Sequence, residues 1–511
     1  MSNANDLMSN LSAPFKLNPV LATDGYKTSH QPMYPVGTNL VFSNLTPRNV
    51  KYMPKQAKKI VVFGSQYTMI YIHQFFKHNF FDLPKEKAIG EAKAHLSSYL
   101  NVDYDMTIFE ELHDLGYLPI HVRVLPEGLV IKEKVPILVI YNTIDKFFWI
   151  TNFLETLISS LIWKPMHSAS LAYGFKEILL NYAKKTDEKN IGFVDFQGHD
   201  FSFRGMQHVE SAITSGLGFL TSFSGTDTIP TLQAAEHYYF SENVGFGVPA
   251  SEHSVMTAYG QENEIDAFKR IMDMFPNGIV SVVSDQFDLW KVITEYIPQM
   301  KEQIMNRDGK LVIRPDSGDP VDIICGKIVA SSDYRDVVEN EHLDTTLPEY
   351  KGAIELLWEA MGGTINDQGF KVLDSHIGLI YGDSITLDRA EEICKRLEKK
   401  GFASTNVVLG VGSYSLGYAT RDQQGCAIKA TYVEVNGVGR EIFKDPITDD
   451  GTKKSARGLV MVYKDENNEY QLKDRCSWDE VNSDTNEMKS LYIDGEFKFL
   501  DTLENIRQRI N

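Results

Sequence analysis

The chain has 511 residues, of which 43% are hydrophobic and 23% charged, and its formal net charge is −18. That length can bury a large core in about two to four domains. The acidic balance excludes duplex nucleic acid and anionic membrane as bulk partners, since both require a basic field, whereas an anionic small molecule needs only a few local Arg and Lys side chains.

Residues 1–17 read as a loose leader, without the basic start and apolar run of a signal peptide. TDGYKTSH and YPVGT predict a loop, and LVFSN after them a strand. Arg48, Lys51, Lys55, Lys58 and Lys59 follow as a basic cluster, whose ordinary reading is a solvated face. Stretches 64–79 and 84–99 have helical periodicity, and 118–141 alternates with period two around a Pro-Glu-Gly turn, which predicts a β meander. The most apolar stretch, 147–163, contains Glu155 and is flanked by Lys146 and Lys164. It reads as a buried helix ending at Pro165, too short and too polar for a membrane span. Cys325, Cys394, Cys426 and Cys476 lie far apart without CxxC spacing, as in a reduced cytoplasmic enzyme; a disulfide framework or zinc ribbon does not fit.

From residue 191 the texture changes. GFVDF, GFLTSF, VSVVS, LVIRP, HIGLIY and VVLGVG each run into a polar or glycine-bearing loop, with helical patterns such as 266–275 and 387–400 between several of them. Continuous apolar strands alternating with helices predict a parallel sheet covered on both sides, whose C-terminal strand ends carry the chemistry. Those ends hold Arg204, Asp227, Asp285, Arg314 with Asp316, Gly382 with Asp383, and Gly410 with Gly412. A barrel is preferred to an open sheet because only a closed ring brings all six to one mouth. After Arg421 the pattern returns to alternation with Asn-Gly and Asp-Gly turns, an antiparallel β region.

The fold class expected is therefore α/β: a parallel barrel-like domain plus an antiparallel β domain built from N- and C-terminal segments with a helical insertion. The divisions are the leader (1–17), an N-terminal segment (18–145), connecting helices (146–190), a barrel-like catalytic domain (191–412) and a C-terminal β segment packing with the N-terminal strands (413–511).

Within the barrel, VPASEHSVMTAY stands out. Ser251 reads as an N-cap behind Pro249, which places Glu252 and His253 at a helix start, where the dipole favours anions and a neutral imidazole. Arg204, Arg314 and Arg421, with Lys429 and Lys444, can clamp phosphate oxygens, and glycines at 382, 410 and 412 let backbone N–H groups approach a phosphate. Asp316 and Asp383 can accept from sugar hydroxyls or hold Mg²⁺ through water. Together these point to a phosphorylated sugar. The sequence has no HExxH, Walker A, strand-following GxGxxG or GxSxG.

TDGYKTSH, DFSFRG, SGTDT, VPASEHS, VVSD, IRPDSG, YGDS and TRD occur in the order found in the nicotinamide phosphoribosyltransferase family, which the chain resembles over nearly its whole length. The resemblance implies a homodimer with interface active sites. Its reaction makes nicotinamide mononucleotide and pyrophosphate from nicotinamide and phosphoribosyl pyrophosphate. Mg²⁺ is held mainly by substrate phosphates and water, and ATP serves as co-substrate through a phosphohistidine. By the same resemblance Phe201 is one slice of an aromatic sandwich on the pyridine ring, and Tyr26 the other, supplied by the partner subunit. Asp227 accepts from the carboxamide, and Arg204 and Arg314 lie near the ring and ribose phosphates. Asp316, Gly382 and Asp383 resemble the ribose-hydroxyl contacts. Gly412 and Ser413 cradle the 5′-phosphate, and Arg421, Lys429, Arg48, Lys51 and Lys444 form the cationic clamp. His253 resembles the phosphorylated histidine, with Glu252 beside it and Asp285 orienting it. Gly25 stands where the family has Ser, a change expected to matter little. Ser413 stands where it has Gly, and 326–374 reads as a surface insertion. The competing readings are a nicotinate phosphoribosyltransferase, a non-catalytic signalling protein on the same fold, and a barrel enzyme for another sugar phosphate.

Overall fold

The computed structural model describes residues 15–328, 346–382, 384–444 and 455–510. Its chain divides into two compact units. One comprises Met1–Lys51, Val62–Trp163 and Arg421–Asp501, the other Tyr52–Val61, Lys164–Thr420 and Thr502–Asn511. The expected boundaries at 190 and 412 thus move to 163 and 420, and the last residues join the barrel unit, not the β segment.

The first unit is built on a seven-stranded sheet in the order Val438–Glu441, Ala427–Val435, Thr38–Thr46, Leu138–Asn142, Ile120–Val124, Lys489–Ile493 and Glu496–Phe497. N- and C-terminal strands interleave, as Ala427–Val435 pairs antiparallel with Thr38–Thr46 and Lys489–Ile493 with Ile120–Val124. Asn436-Gly437 and Asp494-Gly495 close the two outer hairpins, all four residues with positive φ (53°, 73°, 49° and 89°), as a primed two-residue turn requires. Helices Ser65–Phe76, Lys85–Leu100 and Thr107–Leu115 form the insertion.

Inside this sheet, His121 bonds the Tyr141 hydroxyl at 2.6 Å and Ser490 Oγ at 2.8 Å. Burial, then the nearby Arg123 and Lys498 charges, push its pKa from 6.5 down to about 4. Between those two values the unfolded chain takes a proton that the folded chain refuses, so this contribution is full above pH 6.5 and is lost on acidification towards pH 4. Melting curves across that window should slope less for His121→Gln than for wild type.

The second unit holds six parallel strands, β1 (Gly198–Asp200), β2 (Gly225–Thr226), β3 (Asn277–Val283), β4 (Asp308–Arg314), β5 (Ile377–Tyr381) and β6 (Val407–Val411). They are hydrogen-bonded in the order β2, β1, β6, β5, β4, β3. A seventh, irregular stave joins the two edges: Phe246 bridges Gly225 of β2, and Ala250 bridges Ser281 of β3, both parallel. Thr226 N–H donates to Phe246 O (3.0 Å), and Ser281 N–H to Pro249 O (2.9 Å). The ring is therefore closed and runs in chain order.

Three sequence expectations fail for identifiable reasons. GFVDF and GFLTSF are not strands: Val194–Gln197 and Val209–Phe219 are helical, and the strands follow them as the short runs GHD and GT. An apolar run does not by itself tell a buried helix from a strand. Pro165 does not end its helix, which spans Glu155–Thr186. Ile158, Ile162, Met166 and Ala169 are fully buried along it, enough to offset the roughly 3 kcal/mol that an interior proline costs. Of 326–374, residues 329–345 lie outside the described residues, but Ala353–Met361 buries Ile354, Leu356, Leu357 and Met361, so this part is core and not a surface insertion. Among the described residues no helix is long and apolar enough to cross a membrane, and the four cysteines are free and buried.

Candidate active site

The C-terminal ends of the staves open on one cavity of about 680 Å³. Phe201, Phe203 and Arg204 reach it after β1, Asp227 after β2, Ser251 and Glu252 after the irregular stave, Asp316 after β4, Gly382 after β5, and Gly412 and Ser413 after β6. Arg314 lines it from the last position of β4. Asp383 lies outside the described residues. Most of the expected strand ends thus gather at one mouth, but Asp285 after β3 is not among the lining residues.

Arg314 is the electrostatic centre. One of its Nη groups donates to Ser251 O, and the charges of Asp316, Asp227 and Asp285 act on it. Burial lowers its pKa, the three carboxylates oppose that shift, and Arg204 adds to it. On the opposite wall His199 Nε2 bonds Asp227 Oδ1 at 2.8 Å and its ring lies 4.5 Å from that of Phe201. Sequence reasoning missed His199, although a period-two reading of GHDF puts it on the same face of β1 as Phe201. Asp200 between them points the other way and is fully buried, which pushes its carboxyl up. Oδ2 of Asp227 accepts no hydrogen bond among the described residues. Phe201 is held in place by what is absent beneath it. A Cβ on Gly410 would come within 2.6 Å of both the Phe201 ring and Tyr381 O. Gly410→Ala should therefore overpack the site, costing about 1–3 kcal/mol and lowering the calorimetric melting temperature.

The histidine stretch is built differently from its sequence reading. Ser251 is not the N-cap: its hydroxyl is buried and accepts from Val283 N–H (3.0 Å), because the stave must bond to β3 here. Glu252 takes the cap position, its carboxylate accepting from the Ser254 hydroxyl and not from a helix N–H, and His253 begins a helix ending at Thr257. Nor does Asp285 orient His253. Its Oδ2 is taken by the Asp316 N–H (3.0 Å), Ser317 N–H (2.8 Å) and Ser317 hydroxyl (2.5 Å). His253 Nε2 instead lies 3.2 and 3.3 Å from the two Asp316 oxygens. When Nε2–H donates to Asp316, Nδ1 keeps the lone pair.

His253, Asp285 and Asp316 each bring a ligand atom within 4.8 Å of the others, and Asp285 Oδ1 is buried without a hydrogen-bond partner. Two hard carboxylates fit a magnesium ion that keeps most of its waters. Beside Gly412, Ser415 N–H and Leu416 N–H of the short helix Ser413–Leu416 both donate to Gly412 O (3.2 Å each), which leaves the N–H groups of Ser413 and Tyr414 as its donors without an intrahelical acceptor. The Ser413 side chain turns towards Gly205, where a Cβ would collide with it, and Ser413 lines the cavity.

The remaining candidates belong to the first unit. Arg48 Nε donates to Gly425 O (2.9 Å), and Arg421 pairs with Asp422 (3.2 Å). Burial lowers the Lys429 pKa, Glu155 opposes, and the charges of Arg48, Lys444 and Lys27 reinforce the fall. Lys51 and Lys444 are exposed. Tyr26, 62% exposed, stands in the turn Gly25–Ser29 with its ring 5.1 Å from that of His30. A Cβ at Gly25 would meet the far end of the Tyr99 ring, which is 67% exposed and has room to swing aside.

Two family models match: the nicotinamide phosphoribosyltransferase N-terminal domain over residues 18–122, and the nicotinate phosphoribosyltransferase (NAPRTase) family over 196–480. A nicotinamide phosphoribosyltransferase of Acinetobacter baylyi is 44% identical over 509 residues, covering 97% of each chain. The chain belongs to the nicotinamide phosphoribosyltransferase family. The Mycoplasma pneumoniae member is 34% identical over 88% of this chain and 97% of its own. Two solved structures share the fold at low identity. The Pyrococcus furiosus nicotinate-nucleotide pyrophosphorylase has TM-score 0.53 and 13% identity, and covers 100% of this chain and 96% of its own. Human nicotinic acid phosphoribosyltransferase has TM-score 0.50 and 14% identity, over 96% and 92%. As a phosphoribosyltransferase of this family, the chain is an enzyme of the α/β class expected.

Proposed function

We propose that the chain transfers the phosphoribosyl group of phosphoribosyl pyrophosphate to nicotinamide, giving nicotinamide mononucleotide and pyrophosphate. The observation that carries this reading is the Asp227 carboxylate beside the Phe201 ring, with one oxygen engaged by His199 and the other free to accept from a carboxamide N–H₂. An anion in that position attracts an amide and repels nicotinate's carboxylate. The pyridine lone pair forms the new bond to C1′ of the ribose while the C1′–O bond breaks, its electrons leaving with pyrophosphate. Asp316 lines the cavity and would face the developing positive charge on the sugar, and Mg²⁺, held through water by Asp316 and Asp285, would neutralise leaving phosphate charge. Incubating the protein with both substrates and Mg²⁺ should yield mononucleotide by chromatography; its absence would falsify the reading.

The proposal extends to ATP. His253 accepts the γ-phosphoryl group: an N–P bond forms, the P–O bond breaks, and ADP leaves. Its contact with Asp316, which lines the cavity as its neighbour Glu252 does, and its exposure support this. The imidazole is not needed for the glycosyl transfer, because the pyridine nitrogen already has a lone pair. His253→Ala should therefore lose ATP stimulation and keep a slow basal rate. Failure of γ-³²P to reach the wild-type protein during turnover counts against this step. A homodimer with interface active sites completes the proposal, and sedimentation as a monomer at assay concentration would remove that part.

A further inference from the structure

The ring of staves is unevenly fastened. β3 and β4 pair continuously from Asn277↔Asp308 to Val283↔Arg314. By contrast β2 is two residues long, and the irregular stave meets each neighbour at one bridge of two backbone bonds, with the Ser251 hydroxyl adding one more to β3. These two thinly bonded staves are the ones that carry Asp227 and the run Ser251, Glu252 and His253. Since a backbone bond nets only about 1 kcal/mol, so short a ladder leaves their register weakly determined.

Arg507 supplies a second fastening. It sits on the helix Leu503–Ile510, which ends the described chain and belongs to the same unit. Its Nε donates to Leu220 O at 2.6 Å, and one Nη donates to both Phe223 O (3.0 Å) and Val244 O (2.7 Å). Leu220 is the C-cap of helix Val209–Phe219, Phe223 lies just before β2, and Val244 just before Phe246. A single planar guanidinium thus ties together the approaches to both weak staves, using a fork that an ammonium cannot reproduce. The helix itself is pinned to the same region: Ser241 Oγ accepts from Leu503 N–H (2.8 Å) and donates to Glu504 (2.7 Å).

We propose that Arg507 is a positioning residue for the acceptor end of the active site. It touches no substrate. By fixing the two approaches it sets Asp227 against Ser251 and Glu252, while β4, β5 and β6 receive none of its hydrogen bonds. Naming nicotinamide as the acceptor rests on the function proposed above; the fastening itself does not.

The test compares Arg507→Met and Arg507→Lys with wild type in kinetics and in amide exchange read by mass spectrometry. For Arg507→Met the nicotinamide KM should rise about tenfold and the phosphoribosyl pyrophosphate KM by less than about twofold, as expected for a small misplacement at one end of the site. Peptides spanning 224–228 and 246–253 should exchange about tenfold faster, those of β3 and β4 at unchanged rates. Added ethylguanidinium should restore part of the nicotinamide KM in Arg507→Met. Arg507→Lys should keep most of the defect and carries the same readouts if the methionine variant does not fold. Both KM values rising together with uniformly faster exchange, or no change in either, overturns the proposal. A wild-type chain that makes no mononucleotide sinks the functional reading instead, while the exchange pattern still decides the role of Arg507.

Discussion

Arg314→Met should cut kcat/KM for mononucleotide formation by about two to three orders of magnitude. Arg314 is the cation among Asp227, Asp285 and Asp316, and it also holds Ser251 O. Removing it withdraws the positive charge on which the charges of Asp316, Asp227 and Asp285 act, and breaks the bond to Ser251 O. Truncating one partner of such a group costs about 2–5 kcal/mol, and 1.4 kcal/mol is tenfold. The loss should appear in kcat as well as KM, because the irregular stave that carries Glu252 and His253 loses an anchor. Arg314→Lys keeps the charge and loses the fork, so it should fall between the two, down about tenfold. Steady-state kinetics of both variants decide the point. A methionine variant within tenfold of wild type would show that the carboxylates are compensated elsewhere.

The second large effect concerns choice of substrate. Asp227→Ser should lower kcat/KM for nicotinamide by about two orders of magnitude, the worth of a lost charged hydrogen bond. The value for nicotinate should hold or rise, because the repelling charge is gone. The ratio of the two specificity constants is the readout. A wild-type enzyme that prefers nicotinate would reverse the assignment of Asp227. His199→Gln should move the ratio less, because His199 orients one Asp227 oxygen and leaves the other available.

What was legible in the sequence followed from local rules. The Asn-Gly and Asp-Gly turns fixed the outer hairpins, and the long strands ending at Val283, Arg314, Tyr381 and Val411 stood where apolar runs met polar loops. The illegible parts depended on partners far along the chain. GHD and GT are too short to leave a periodic signal, and their neighbours in the ring make them strands. The Phe246–Ala250 stave has almost no ladder of its own, so nothing local marked it as part of the barrel wall. The same is true of Asp285: proximity in the motif order suggested His253, but the backbone turn at Asp316 and Ser317 captured its carboxylate first.

The chain-order ring also bears on how the protein is made. Every stave pairs with the one synthesised before it, so most of the wall can assemble as it leaves the ribosome at low loop-closure cost. The exception is the seam between β1 and β6, where Asp200 waits for Val411. Until that residue emerges, the growing barrel exposes an unpaired strand edge at each side. The sheet of the first unit is likewise unfinished until Ala427–Val435 and Lys489–Ile493 arrive to pair with strands made hundreds of residues earlier. Nascent chains stopped short of β6 therefore present open edges in both units, the condition under which strands recruit other copies and aggregate.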